Sequence, residues 1–127
     1  MSCGTPGRRI ATALAGMLLL AIALPPPNPA WAADPPDRAF LREGWRRYQG
    51  VCGHCHGPDG AGSSFAPGLI APLADRERFA TATLEGVAGL RGVMRGFAGD
   101  PNVAPYLDAI YAYLAERAAG HLGRGRP

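Results

Sequence analysis

The sequence predicts an all-α domain of short helices joined by glycine-rich loops. Apolar residues recur at helical steps in the segments around 38–49 and 103–114. No segment alternates apolar and polar residues as a half-buried strand does. The 18 Gly and 13 Pro of the 127 residues gather largely between the periodic segments and at the N-terminal end. This length suits one domain, and an apolar content of 47% excludes a wholly disordered chain.

Residues 1–32 read as a secretory signal peptide. Arg8 and Arg9 supply a positive start, Ile10 to Leu24 an apolar middle, and Ala30-Trp31-Ala32 the small-residue pattern that signal peptidases cut. The apolar run is about 15 residues, short of the roughly 20 that span a bilayer. Export to the periplasm is therefore expected, with a mature domain of residues 33–127 and no membrane span. Losing Arg8 and Arg9, and no acid, lowers the net charge from +3 to +1. The chain has no lysine and no basic stripe with interleaved aromatics, which excludes nucleic acid as a partner.

Asp34-Pro35-Pro36-Asp37 forms the lead-in to the mature domain. Phe40, Leu41, Trp45 and Tyr48 fall near helical spacing and predict a helix from about Arg38 to Gln49, with Asp37 as N-cap and Gly50 as stop. The glycines, prolines and serines from Gly53 to Gly68 predict loop. Asp75 is placed to cap a second helix, running to about Glu85 with Gly86 after it. Gly86 to Gly99 is again glycine-dense and holds Met94. The last helix follows Pro101-Asn102 and accepts Pro105 in its first turn. Val103, Leu107, Ile110, Tyr111 and Leu114 form its inward stripe, and Gly120 suits the C′ position. A domain this small and loop-rich calls for a staple, metal or cofactor.

Cys52-Gly53-His54-Cys55-His56 supplies the candidate. C-x-x-C-H is the attachment pattern for c-type haem. Two thiols on adjacent turns can add to the haem vinyl groups, and the next residue brings an imidazole to the iron. Two other readings exist. A redox disulfide between Cys52 and Cys55 belongs with a βαβ pattern, which is not seen. A zinc site would need further ligands, and neither His56 nor His121 gives the spacing of a usual zinc module.

The segment Gly44-x-x-x-Tyr48-x-x-x-Cys52-x-x-Cys55-His56 resembles the N-terminal helix and haem motif of class I c-type cytochromes. The resemblance extends over nearly all of residues 33–127 and implies the small class I cytochrome c fold around one covalently attached haem c. Gly44 would let the first and last helices cross closely, meeting Tyr113-Leu114. Cys52 and Cys55 would carry the thioethers, and His56 would be the proximal iron ligand. The Pro67 carbonyl would orient the His56 ring. Met94, in the loop before the last helix, would be the sixth ligand. Relatives usually carry proline after this methionine, where the present sequence has Arg95. His121 is a competing ligand that reads better as a tail residue, and His54 reads as a surface residue.

An iron with both axial positions filled exchanges single electrons and has no easy place for substrate. The expected role is a monomeric periplasmic electron carrier, not an enzyme. The run Cys55-His56-Gly57-Pro58-Asp59-Gly60-Ala61-Gly62-Ser63-Ser64-Phe65-Ala66-Pro67 is similar to small cytochromes serving quinoprotein alcohol dehydrogenases. That resemblance implies a pyrroloquinoline-quinone (PQQ) alcohol or methanol dehydrogenase upstream and a terminal oxidase downstream. Arg91 and Arg95 flank Met94 and could meet a haem propionate or an acidic partner. The alternative function is a haem enzyme or gas sensor with an open or labile sixth iron site, which Arg95 in place of proline would favour.

Overall fold

The computed structural model describes residues 1, 2, 4, 36–89 and 92–127. Contacts divide the chain into Met1–Ala33 and Asp34–Pro127; the fold below is that of the second unit. The signal-peptide expectation and Arg91 lie outside the described residues.

Helix α1 spans Arg38–Arg47. The Asp37 carboxylate accepts the Phe40 N–H at 2.7 Å, satisfying one of the free donors of the first turn. Its buried face is Leu41 and Gly44; Phe40, expected inward, is exposed. The helical path does not stop at Gly50. It widens into a π turn over Tyr48–Cys52 and continues as α2, Gly53–His56. This corrects both the stop at Gly50 and the loop expected from Gly53. Glycine costs about 1 kcal/mol inside a helix, but that cost is offset by tertiary anchoring. Tyr48 is wholly buried and its hydroxyl donates to the Gly57 carbonyl at 2.8 Å, which ties the start of the π turn to the end of α2.

A 3₁₀ turn over Pro58–Gly60 leads into a loop. Helix α3, Arg76–Glu85, is capped by the Asp75 carboxylate, which accepts from Arg78 N–H at 2.9 Å, and it ends at Gly86. Both limits agree with the sequence prediction. The glycine-dense stretch that follows holds a short hairpin within the otherwise helical domain. Strands β1 (Gly86–Gly89) and β2 (Gly92–Arg95) pair antiparallel, with Val87 opposite Met94. Val87 and Val93 are exposed, at 46% and 81%. With neither face in the core, nothing demands the apolar alternation that would have revealed the strands. The rest of the domain remains helical.

A second 3₁₀ turn, Ala104–Tyr106, feeds α4, Leu107–Ala118. Gly120 follows at φ +78, a left-handed C′ residue. Val103, Leu107, Ile110, Tyr113 and Leu114 join Tyr48 and Phe79 in the core. Burying each such side chain stabilises by roughly 1.5–3 kcal/mol. Tyr48 and Tyr113 pack with ring centroids 5.9 Å apart, and Phe79 and Tyr111 at 5.3 Å. Helices α1 and α4 touch backbone to backbone. A Cβ on Gly44 would fall on the Ala109 carbonyl, so the nearest partner of Gly44 is the Ala109–Ile110 turn. Tyr113, expected opposite Gly44, rests on Tyr48 one turn further along.

Candidate haem site

Helical geometry places Cys52 and Cys55 three residues apart, on adjacent turns of one face. Cys52, at the end of the π turn, is half-buried; Cys55, in α2, is exposed. His56 closes α2 with its side chain largely buried. Its Nδ1 lies 2.8 Å from the carbonyl oxygen of Pro67. A donor Nδ1–H in that contact fixes the tautomer and leaves Nε2 with a lone pair for a metal.

The loop after α2 is folded to bring Pro67 there. Gly57 stands at φ +74, and a Cβ on it would strike the Gly62 carbonyl. The Gly62 N–H donates to the His56 carbonyl at 2.7 Å, and the Ser63 N–H to the Ala66 carbonyl at 2.9 Å. The Ser63 hydroxyl donates to the Cys55 carbonyl. The loop therefore turns back on α2 through its own backbone, and the Pro67 carbonyl ends beside the imidazole.

Burial pushes the Cys52 thiol up to about 11. Redox-active C-x-x-C pairs work instead through a thiol lowered below its ordinary value. Among the described residues no three His, Cys, Asp or Glu side chains converge as a metal cluster. The donor set fits a covalently held haem: two thiols on adjacent turns and a buried, oriented imidazole immediately after them.

Met94 stands apart from this group in the chain, on β2, half-buried and outside the core cluster. Its thioether is neither core filling nor fully solvated. Arg95 is engaged elsewhere: its guanidinium is 3.1 Å from an Asp100 carboxylate oxygen and 4.2 Å above the Phe97 ring. His121 pairs with Glu116 at 2.9 Å on the surface after α4, and exposed His54 has its Nε2 3.0 Å from the Gly50 carbonyl. Both are surface residues.

Sequence reasoning missed Asp59. It is 4% exposed, at the heart of the turn that follows α2. Tyr113 Oη donates to it at 2.9 Å and Gln49 Nε2 at 2.7 Å. Burial, reinforced by the Asp59 contact, raises the Tyr113 hydroxyl well above the ordinary tyrosine range, and burial raises Tyr48 likewise. The available signal was an acid between Pro58 and Gly60, which by itself reads as a turn residue.

Residues 39–114 match the family model described as cytochrome c oxidase, cbb3-type, subunit III. The chain is 34% identical over 117 residues to cytochrome c-555 of Methylococcus capsulatus, covering 90% of this chain and 87% of that protein. It is 42% identical over 90 residues to cytochrome c-553I of Paracoccus denitrificans, covering 66% of this chain. The crystal structure of the c-type cytochrome XoxG from Methylobacterium extorquens AM1 superposes with a TM-score of 0.63 at 42% identity, over 69% of this chain. The chain spans 40% of the Paracoccus protein and 56% of the XoxG chain. Among the described residues no helix is long and apolar enough to cross a membrane. With the family model spanning most of the domain and the Methylococcus protein aligned almost end to end, the chain belongs to the cytochrome c family, whose cofactor is a covalently bound haem c.

Proposed function

We propose that the protein is a periplasmic one-electron carrier in which Cys52 and Cys55 bind haem covalently and His56 and Met94 are the axial iron ligands. The observation that carries this reading is the contact of His56 Nδ1 with the Pro67 carbonyl, 2.8 Å, directly after the two cysteines. Haem, when bound, supplies one-electron exchange at its iron. The chain does the rest. The Pro67 carbonyl holds the His56 ring in one orientation and tautomer. Met94 would supply the second protein ligand to the iron and so leave no open site for small molecules. The half-buried position of Met94 outside the core supports this role.

The upstream partner in this reading is a PQQ-dependent alcohol dehydrogenase and the downstream one a terminal oxidase. The likeness of residues 55–67 to cytochromes of that system supports it. The test is reduction of the purified protein by such a dehydrogenase at low and at moderate salt. Rapid reduction at both is expected, because residues 33–127 carry a net charge of only +1. Arg46, Arg47, Arg76 and Arg95 are also each paired with a carboxylate, which weakens long-range steering. No reduction by any PQQ-dependent alcohol dehydrogenase would remove that partner. Co-purification with an oxidase at fixed stoichiometry would replace the mobile carrier with a resident subunit.

A further inference from the structure

Asp59 carries two costs at one position. Its backbone stands at φ +58, ψ 24, a left-handed conformation that side chains rarely adopt. Its side chain is 6% exposed, and burying a charge is expensive unless donors hold it. Gly57 and Gly60 beside it already stand at positive φ. A third glycine at 59 would relieve both costs.

The donors converge from three other parts of the domain. Gln49 comes from the π turn and Tyr113 from α4, both onto Oδ1. Arg124, in the C-terminal tail, has its Nε 3.5 Å from Oδ2. Arg117 steadies the same corner: its Nε donates to the Asp59 carbonyl at 3.4 Å and its Nη1 to the Leu122 carbonyl at 2.8 Å. Asp59 is three residues from His56, hence within about 11 Å of it along the chain.

We propose that the Asp59 carboxylate sets the reduction potential of the haem iron, favouring the oxidised and more positive state, with Arg124 as the counter-charge that moderates it. The inference rests on His56 as an iron ligand. At the screening typical of protein interiors, a unit charge about 11 Å from a site changes an equilibrium constant there by about tenfold. A clasp acting only through packing would change stability without giving Asp59 and Arg124 opposite effects on the iron.

The test is a redox titration of the haem-loaded protein beside Asp59→Asn and Arg124→Gln, with thermal unfolding of each. Asparagine keeps an oxygen for Tyr113 and Gln49 and removes the charge. Asp59→Asn is expected to favour reduction by about tenfold, a rise of about 59 mV for one electron. Arg124→Gln is expected to shift the potential the other way, by less, because the Arg124 side chain is 69% exposed. Unmoved potentials, or shifts of the same sign, overturn the proposal. If Asp59→Asn fails to mature, Arg124→Gln decides alone: a fall supports the proposal and no change overturns it. A wild-type protein without a low-spin haem spectrum overturns the ligand reading and this inference with it. A normal spectrum with unmoved potentials overturns this inference alone.

Discussion

Gly44 of α1 rests on the carbonyl of Ala109 in α4, so closely that a Cβ there would overlap it. The close approach lets the two helices cross at backbone distance and holds the segment leading to Cys52 against the core. Gly44→Ala would gain about 1 kcal/mol of helix propensity and lose more to overlap with backbone that cannot step aside. The expected net effect is a loss of up to about 2 kcal/mol, read as a lower midpoint in chemical unfolding of the haem-loaded protein.

Gly50 is the contrasting glycine. It lies on the helical path, and a Cβ there would meet nothing within 4 Å. Gly50→Ala is expected to stabilise by about 0.5–1 kcal/mol through helix propensity and a less disordered unfolded chain. Equal losses at Gly44 and Gly50 in unfolding experiments would contradict this account of the two positions.

The cap of α3 carries a separate cost. Asp75→Ala removes the acceptor of the Arg78 N–H, and a loss of about 1 kcal/mol is expected. Asp75→Asn keeps an acceptor and should recover most of it.

Tyr48 and Tyr113 make the fold sensitive to alkali. Both are wholly buried, and burial raises their hydroxyl ionisation above that of an unfolded chain. Below about pH 10 both states hold the phenolic proton and stability does not depend on it. Above that the unfolded state ionises first and binds fewer protons, so stability falls. The expected slope is about 1.4 kcal/mol per pH unit for each tyrosine. In unfolding measured from pH 9 to 11.5, Tyr113→Phe should be less stable at pH 9 yet show a shallower decline. An unchanged slope would show that Tyr113 is not the titrating group.

Legibility followed from how local each signal is. Asp75 and Gly86 bound α3 through chemistry confined to a few residues, and Gly120 ends α4 in the same way, so these limits could be read directly. The C-x-x-C-H motif is equally local. The helix through Gly50 was not legible, because its support comes from Tyr48 bonding to Gly57 beyond the turn. The hairpin was not legible either, because its exposed valines need no alternation. Asp59 escaped for a third reason: its donors Gln49, Tyr113 and Arg124 are distant in sequence and meet only in the fold.

In the proposed function His56 and Met94 hold the iron between them. The most direct measurement is visible and near-infrared absorption of the haem-loaded protein, oxidised and reduced, beside Met94→Ala. The account predicts a sharp low-spin α band on reduction and a weak sulfur-to-iron band in the oxidised protein that vanishes in Met94→Ala. A high-spin spectrum, or a wild-type protein lacking the sulfur band and binding carbon monoxide rapidly, would contradict it and favour an enzyme or gas sensor with an open iron site.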